Sequence, residues 1–490
     1  MRIAIVHYHL QPGGVTRVIE NTVSSLEEKG HEIVVLTGEL CPEASPIFHL
    51  VRVVEGLGYS DPEAGLTPEV LCQRLQDTAG PVDCWHFHNH GLGKNAALPD
   101  AIALLAEDGT RILLQIHDFA EDGRPSNYAV ASRSKHLYPS GTGVHYAVIT
   151  GRDRSILTYA GVPEERLHVL PNPVALPRVS GSGVGDGKVN ADGRLLFYPT
   201  RGIRRKNIGE AVFLAALLKG EGVRVATSRS PDNSVWNETH DRWVEFAKGR
   251  GLPVAFGVVD NPEHGGHSFE AWLAAARAIL TTSVAEGFGL AFLEPLLANK
   301  HVLGRDLVEV TGDFRKVGLK FPCLYQAVLV PELWVDMDAV RDRLEELLPA
   351  HFESYGFPFS SALVDRAMET ILPREGWVDF GSLEESFQEA VIQIIVDDPA
   401  CGEDVRILGD DPELAAAVPW LRKRMDMDGT ASSKTVAVLD GVYSPASIGD
   451  QLDACYEHMT GDCGYPADID REAIVNVFLA PERFHFLRTQ

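Results

Sequence analysis

Thr281–Lys300 reads TTSVAEGFGLAFLEPLLANK, and the local structure that this segment predicts is the starting point for the rest of the chain. The end of an apolar strand leads into a glycine loop, and a helix follows the loop. Gly287 and Gly289 allow the backbone to approach a ligand closely, because glycine has no Cβ atom. The first N–H groups of the helix would point at that ligand, so the segment predicts a site for an anionic group.

Two carboxylates flank the loop and indicate a ligand that is more than an anion. Glu286 comes directly before the first glycine, and Glu294 lies in the helix. Carboxylates repel phosphate but accept hydrogen bonds from sugar hydroxyls, so a ligand that is part phosphate and part polyol fits best. A sugar nucleotide has this composition. The alternative is an ordinary strand–loop–helix corner with solvated acids, and features elsewhere in the chain weigh against it.

The composition is that of a globular protein with more than one core. A chain of 490 residues predicts two domains, or two domains and an appendage. The net charge of −25 argues against nucleic acid or an anionic membrane as the main partner. Seven scattered cysteines without CxxC spacing predict reduced thiols, with neither a disulfide framework nor a zinc site. No apolar run could cross a bilayer and Met1–His9 lacks signal-peptide features, so we expect a cytoplasmic location.

The first half of the chain begins with a strand, a glycine loop and a helix. Arg2–His9 is apolar and β-branched, the loop ends in Gly13 and Gly14, and a one-sided apolar pattern follows up to Gly30. Glu32–Gly38 predicts the next strand, and this alternation predicts a parallel sheet. The glycine pair lacks the dinucleotide fingerprint. It is either a simple turn or a ligand loop at the carboxyl end of the first strand, where open α/β sheets bind ligands.

Polar residues follow two further strands of this half. Arg111–Asp118 predicts a buried strand that ends in His117 and Asp118, which are well placed for a polar site. The segment DCWHFHNH carries three alternating histidines, His86, His88 and His90. They could resemble a metal site, but we favour hydrogen-bonded core histidines, at most one of which meets substrate. No metal is predicted.

The second half begins after a linker that we place between Leu176 and Gly193, which is rich in Ser, Gly, Pro and Asp. Arg194–Thr200 predicts a strand, and four cations follow it within six residues: Arg201, Arg204, Arg205 and Lys206. In so acidic a chain, such a cluster at a strand end and before a helix favours a diphosphate clamp over a solvated loop.

Taken in order, five motifs resemble the GT-B glycosyltransferases, and most closely the retaining nucleotide-sugar enzymes of family 4. They are Gly13-Gly14-Val15, His117 after a strand, Leu170-Pro171-Asn172-Pro173, the pair Arg201 and Lys206, and EGFG through Glu294. The resemblance covers roughly residues 1–306. It implies an α/β protein with two Rossmann-like domains facing each other across a cleft. We expect an acceptor-side domain at 1–178, a donor-side domain at 193–400, and a mostly helical C-terminal extension at 401–490 that could pack on the first domain.

The resemblance also implies roles for individual residues. Arg201 and Lys206 would neutralise the donor diphosphate, which the Gly13-Gly14 loop would close over. Glu294 would hold the ribose hydroxyls and Glu286 the donor sugar. The donor would further contact the turn formed by Gly287, Phe288, Gly289 and Leu290. His117 would lie near the reacting centre, and the acceptor would meet His88, Asn89, His117 and Asp118.

The hypothesis is therefore retaining transfer of a sugar from a nucleotide-diphosphate sugar to a small soluble acceptor, with no cofactor. Fixed cations at the departing diphosphate would bind the transition state more strongly than the ground state. Three alternatives use the same cleft: a sugar-nucleotide epimerase, a phosphorylase, and a binding protein without turnover. The sequence GRDLVEVTGDF at Gly304–Phe314 differs from the pattern that is common in the family at this point. There Arg305 and Asp306 could address a sugar, or could form ion pairs.

Overall fold

The computed structural model describes residues 1–59, 66–107, 109–175, 189, 193–411, 413–459 and 469–489. It contains two parallel β-sheets, each covered by helices, and a small antiparallel sheet. This is the expected α/β arrangement of two Rossmann-like lobes. Most of the predicted linker at 176–193 lies outside the described residues, so the domain boundaries stay predictions.

The first lobe is built on seven parallel strands in the order β3-β2-β1-β4-β5-β6-β7. The strands are Arg2–Val6 (β1), Glu32–Thr37 (β2), Val51–Val53 (β3), Cys84–His88 (β4), Ile112–Ile116 (β5), Val144–Val148 (β6) and Leu167–Val169 (β7). The order reverses between β1 and β4, and open sheets bind ligands outside such a reversal. The loops after β4 and β5 carry the predicted polar residues.

Helices cover both faces of this sheet. They are Gly14–Glu28 (α1), Pro68–Ala79 (α2), Leu98–Ala106 (α3), Pro125–Ala131 (α4) and Gly151–Tyr159 (α5). On one face, Ile19 and Val23 of α1 pack against Ile3 and Ile5 of β1. Because strands covered on both faces must be apolar throughout, β1 and β5 have the near-continuous apolar sequences by which they could be predicted.

The second lobe has six parallel strands in the order β10-β9-β8-β11-β12-β13. They are Leu195–Arg201 (β8), Arg224–Arg229 (β9), Val254–Ala255 (β10), Ala278–Thr281 (β11), Val302–Arg305 (β12) and Leu324–Tyr325 (β13). The helices are Ile208–Leu217 (α6), Asn237–Gly249 (α7), Phe269–Ala275 (α8), Leu290–Leu297 (α9) and Val308–Lys316 (α10). Here the order reverses between β8 and β11, whose following loops hold the cation cluster and the EGFG segment.

A four-stranded antiparallel sheet, which the sequence did not predict, extends the second lobe. Its order is β15-β14-β16-β17, with strands Ala327–Pro331 (β14), Trp377–Asp379 (β15), Arg406–Leu408 (β16) and Ala415–Ala416 (β17). Helices Met337–Ser354 (α11), Ala362–Ile371 (α12) and Glu385–Asp397 (α13) accompany it. Val328, Val330 and Ile407 join the core that β8 and α6 form, so this sheet belongs to the second lobe.

The C-terminal extension is mostly helical, as expected. Its helices are Ala417–Met425 (α14), Ser433–Val438 (α15), Pro445–His458 (α16) and Arg471–Phe478 (α17). Ile448 and Leu452 of α16 pack into the core beneath α1, and Ile474 of α17 packs into the core on the other face of the first sheet. None of the described helices is long and apolar enough to cross a lipid bilayer.

Arg305 at the end of β12 forms a buried ion-pair network rather than facing a ligand. Its guanidinium donates to Glu210 at 2.6 Å and to Asp379 at 2.8 Å. Tyr325 donates to Glu210 at 2.7 Å. Both carboxylates are therefore compensated, as buried charges require. The neighbouring Asp306 accepts from Thr311 and pairs with Arg315.

Candidate functional site

Two loops of the second lobe are joined by hydrogen bonds. The Thr282 hydroxyl donates to the carbonyl groups of Lys206 at 3.1 Å and Asn207 at 2.9 Å. The Val284 N–H donates to the carbonyl of Arg205 at 2.9 Å. These contacts tie the cation cluster after β8 to the EGFG segment after β11, and they fix the backbone from which the charged side chains extend.

Asn207 sets the start of α6 and the position of the preceding lysine. It has the left-handed conformation, with φ 49°, which asparagine adopts more easily than most residues. Its side-chain oxygen accepts from the N–H of Glu210 at 3.3 Å and from the amide of Gln388 at 2.9 Å. This cap satisfies one of the first N–H groups of the helix and turns the chain sharply after Lys206.

Lys206 and Glu286 form an ion pair across the two loops. Both side chains are largely buried. Burial alone would raise the pKa of Glu286, but the adjacent cations Lys206 and Arg205 outweigh burial and lower it. Burial lowers the pKa of Lys206. The structure thus brings together two of the residues predicted to meet the donor, Lys206 and Glu286, with Glu286 held as a carboxylate.

A first cavity of about 280 Å³ lies on one side of this pair. Its polar groups come from Lys206, Glu286, Glu294 and Asn172. Its apolar wall consists of Pro199, Phe269, Leu273, Phe288, Leu290, Ala291 and Pro295. An apolar wall with a few convergent polar groups is typical of a small-molecule site.

Glu294 bridges this cavity to the first lobe. One carboxylate oxygen accepts from Arg17 of α1 at 3.1 Å, and burial raises the pKa of Glu294. Asn172, from the predicted LPNP segment, is only 9 % exposed. Its Oδ1 atom has no hydrogen-bond partner in the described part of the chain. Glu294 and Asn172 thus bring a carboxylate and an amide to the wall of this cavity.

A second cavity, of about 200 Å³, lies on the other side of Glu286. The first lobe contributes His117, Asp118, Phe119, Asp122, Gly123, Arg124 and Arg152. The second lobe contributes Ile203, Arg204, Arg205, Trp236, Ala285, Glu286 and Gly287, and the C-terminal segment contributes Leu487 and Arg488. The cavity therefore lies between the two lobes, and His117 faces the same space as Glu286.

The turn that carries His117 and Asp118 is held from below by the end of β4. Asn89 has the left-handed conformation, with φ 56°, and its side-chain oxygen accepts from the N–H groups of His117 at 2.7 Å and Asp118 at 3.1 Å. His88 Nδ1 lies 2.9 Å from His117 Nε2. His88 and Asn89 are almost fully buried, and in the described part of the chain they line neither cavity. Their contacts hold His117 and Asp118, which line the second cavity. The role in acceptor binding expected of His88 and Asn89 stays a prediction.

The charges of His117 and Asp118 follow from their surroundings. Burial lowers the pKa of His117 to about 4, so its ring is neutral at pH 7. Burial would raise the pKa of Asp118, but Arg124, Arg205 and His117 outweigh burial and lower it to about 2. Arg124 donates to Asp118 at 2.6 Å. His117 can therefore donate or accept a hydrogen bond without carrying charge, and Asp118 stays ionised.

The two glycines of EGFG differ in how much space a Cβ atom would have. Gly289 has φ 92° and precedes α9, and a Cβ atom there would meet Val310 Cγ1 at 2.5 Å. Gly287 lies against the other lobe, where a Cβ atom would meet the carbonyl oxygen of His117 at 3.7 Å. The turn therefore requires glycine at position 289, whereas the space at position 287 would accommodate a Cβ atom.

Three predicted donor residues are not at the walls of these cavities. Arg201 is exposed and pairs with Asp232 at 2.9 Å. Gly13 and Gly14 begin α1 and, among the residues described, line neither cavity. The helix that they begin instead reaches the site through Arg17. The roles expected of all three stay predictions.

Three residues line the cavities without having been predicted to do so: Arg205, Phe269 and the C-terminal Arg488. Arg205 was visible only as one of four clustered cations, and spacing did not reveal which of the four faces the cavity. Phe269 had no signal beyond an apolar helix. Arg488 lies far along the chain from every motif, so only the folded chain could bring it to the site.

The three alternating histidines do not form a metal centre. His86 Nδ1 lies 2.8 Å from the Tyr456 hydroxyl and its Nε2 lies 3.0 Å from Gln115 Oε1. His90 is fully buried. No group of three potential ligands spaced for a metal ion occurs in the part of the chain that the structure describes.

Known proteins resemble this chain in sequence and fold. Residues 12–178 match Glycosyltransferase Family 4. Mannosylglucosyl-3-phosphoglycerate synthase of Petrotoga mobilis (strain DSM 10674 / SJ95) is 27% identical over 379 residues, which cover 70% of this chain and 72% of that protein. A crystal structure of a glycosyltransferase from Rickettsia africae ESF-5 matches with a TM-score of 0.52 and 12% identity, covering 94% of this chain and 98% of that one. The last of these shows a shared fold over nearly the whole chain.

Proposed function

Since this chain is a family 4-like glycosyltransferase with the GT-B fold, we propose that it transfers a sugar from a nucleotide-diphosphate sugar to a small soluble acceptor. The observation that carries the proposal is the Lys206–Glu286 ion pair in the wall between two cavities. A cation at that point can receive a leaving diphosphate while a carboxylate receives sugar hydroxyls.

The chemistry of the first cavity suits the nucleoside. Phe269 and Leu273 supply an apolar wall for a base, and Glu294 can accept hydrogen bonds from the two ribose hydroxyls. Arg17 donates to one carboxylate oxygen of Glu294, so donor binding would exchange one charge-assisted contact for others. The side chain of Asn172 lines the same cavity as Lys206 and adds a polar group to its wall.

Lys206 is the residue we assign to the leaving group. As the bond between the anomeric carbon and the diphosphate oxygen breaks, negative charge grows on the diphosphate, and a fixed cation gains attraction in the transition state. A single contact of this kind typically contributes about 3 kcal/mol to lowering the barrier. Arg201 would join by leaving Asp232 for the diphosphate. With cations supplied by the protein, we propose that the reaction needs no metal.

We propose that the configuration at the anomeric carbon is retained. The carboxylates that line the second cavity are engaged, since Glu286 pairs with Lys206, Asp118 with Arg124, and Asp122 with Arg488. An acceptor hydroxyl would attack from the face that the diphosphate leaves, forming the new C–O bond as the old one breaks. Its proton would pass to the departing diphosphate oxygen, and neutral His117 would hold a sugar hydroxyl.

The proposal is tested by incubating the protein with UDP-, GDP- and ADP-sugars and an acceptor panel, and measuring release of nucleoside diphosphate. The panel includes a glucosyl-3-phosphoglycerate acceptor, because the relative is named for a mannosylglucosyl-3-phosphoglycerate product. We expect release that depends on an acceptor, together with a new glycoside detected by mass spectrometry. Silence with every pair would overturn the proposal, and sugar phosphate formed only when phosphate is added would identify a phosphorylase instead.

A further inference from the structure

The second cavity carries an excess of positive charge in a strongly acidic chain. Its lining includes five arginines: Arg124, Arg152, Arg204, Arg205 and Arg488. Three carboxylates face the same cavity, from Asp118, Asp122 and Glu286. Because the protein as a whole has a net charge of −25, this concentration of cations is local.

Four of these arginines already have carboxylate partners. Arg124 pairs with Asp118, Arg152 with Asp153, Arg204 with Glu384 and Glu385, and Arg488 with Asp122. Arg204 also donates through Nη1 to Thr489 of the C-terminal segment, at 2.9 Å to the carbonyl oxygen and at 3.2 Å to the hydroxyl. The carboxylate partners orient these four arginines and balance their charges.

Arg205 is the uncompensated cation of the cavity. Its guanidinium makes no hydrogen bond or ion pair among the described residues, although its charge lowers the pKa of both Asp118 and Glu286. Its backbone is held by the bond from Val284 to its carbonyl. An arginine with an anchored backbone and a free fork of donors is suited to a phosphate or carboxylate group.

The C-terminal segment 481–489 brings a second arginine to the same space. Phe486 and Leu487 are buried, and Arg483 forms a two-pronged pair with Glu309 at 2.6 and 2.9 Å. The segment therefore has a fixed path, which ends with Arg488 against Asp122 of the first lobe. The ion pair involves the Nη2 atom of Arg488, and its Nη1 atom donates to the carbonyl oxygen of Arg483 at 3.5 Å. The guanidinium has five N–H groups, so donors remain available to a ligand.

We propose that Arg205 and Arg488 bind an anionic group of the acceptor, a phosphate or a carboxylate, so that the C-terminal segment forms part of the acceptor site. This inference rests on the proposed function, because it takes the first cavity as the donor site. The nucleoside-suited groups Glu294, Phe269 and Leu273 all line the first cavity and not the second. The second cavity thus receives the partner that attacks the donor.

Inorganic phosphate is the probe for this site. Calorimetric titration of the full-length protein, with the first cavity saturated by whichever of UDP, GDP or ADP binds, should show phosphate binding that Arg205→Gln and Arg488→Gln each weaken on the order of tenfold or more. Arg341→Gln removes an exposed arginine of α11 that pairs with Asp365, and it should bind phosphate like the wild type. Melting curves identify any variant that fails to fold, and Arg205→Gln should fold because Arg205 has no partner to lose.

Transfer to a charged and an uncharged form of one acceptor gives the second readout. Both arginine variants should lose kcat/KM with the charged acceptor by roughly 10- to 100-fold and change little with the uncharged one. Phosphate binding that nucleotide abolishes, or equal losses with both acceptors, would place Arg205 at the donor diphosphate and overturn the proposal. If no nucleotide binds, the proposed function fails, and phosphate titration of the free protein still decides whether Arg205 and Arg488 form an anion site.

Discussion

Lys206 is the residue that we expect to lie beside the departing diphosphate, on which negative charge grows during the reaction. Replacing it with alanine should lower kcat about 100- to 1,000-fold, because a preorganised cation at the leaving group is lost. Steady-state kinetics on the identified donor and acceptor measure this, with Arg341→Ala as the control for loss of a cation elsewhere. A folded Lys206→Ala protein with near-normal kcat would contradict the assignment.

Glu294 is expected to act in binding rather than in the chemical step. Glu294→Ala removes the proposed acceptor of the ribose hydroxyls and leaves Arg17 without its carboxylate partner. We predict a donor KM raised about tenfold or more, since charge-assisted hydrogen bonds are each worth roughly 1.5–3 kcal/mol. Calorimetry with the nucleoside diphosphate measures the loss directly. Unchanged nucleotide affinity would mean that the ribose lies elsewhere.

The sequence predicted which residues form the site better than it predicted where their side chains extend. Lys206, Glu286, Glu294 and His117 were singled out, and each lines a cavity. Which arginine of the cation cluster would join them could not be predicted. The side-chain directions depend on the turn at 204–206 and on the left-handed Asn207, and these are set by bonds to a loop 75 residues further along the chain.

At the scale of an element, the turn into α9 is set by one glycine. Gly289→Ala should destabilise the fold by at least about 1–2 kcal/mol, the cost of a left-handed conformation for an L-residue, with the clash against Val310 added. Activity should fall as well, because the turn carries Glu286 and Gly287. Thermal unfolding and kinetics of the same preparation measure both effects.

Gly312 provides the matched control for that substitution. It lies within α10, where an added Cβ atom would meet nothing within 4 Å. Gly312→Ala should therefore raise stability by about 0.5–1 kcal/mol through helix propensity, with activity unchanged. Equal effects of the two alanines would show that the conformation of Gly289 is not what the turn requires.

Elements with long apolar sequences were predictable and short ones were not. The strands β1 and β5 lie within predicted apolar runs, β8 overlaps a third run except for its last residue, and the end of β11 was predicted before the EGFG loop. The alternation of strands and helices predicted parallel sheets. The antiparallel sheet of β14 to β17 was missed because its strands are only two to five residues long. Such strands carry too few residues for a periodic pattern, and their pairing depends on the core of the second lobe.

Across the whole molecule, buried histidines beneath the cleft should make the fold sensitive to acid. Burial lowers the pKa of His7 and His86 to about 3, of His90 and His117 to about 4, and of His88 well below its usual value. In the unfolded chain these groups titrate near 6.5. The unfolded state therefore binds more protons below that pH, and stability that is present at pH 7 is lost as the pH falls toward 4.

The size of that effect follows from linkage. A histidine whose pKa falls from 6.5 to about 4 on folding contributes about 2 kcal/mol to the stability lost between pH 7 and pH 5. Denaturant unfolding at the two pH values measures the total. His90→Gln, which removes one such group outside both cavities, should reduce the difference. A free energy of unfolding that is the same at pH 5 and pH 7 would contradict the prediction.

The path of the C-terminal extension is a property of the whole molecule that no local pattern revealed. Helix α16 packs under α1, and segment 481–489 reaches both lobes through the pair of Arg488 with Asp122 and the bond from Arg204 to Thr489. These contacts join residues hundreds of positions apart. The sequence predicted helices here, but it could not show that their end lines a cavity.

We propose that the first cavity binds the donor and the second binds the acceptor. The most direct test is a crystal structure of the chain with the nucleoside diphosphate that the donor screen identifies. We predict the base against Phe269 and Leu273, the ribose on Glu294, and the diphosphate at Lys206 beside Glu286, with the second cavity left open toward His117. A nucleotide bound in the second cavity, or with its diphosphate away from Lys206, would contradict the account.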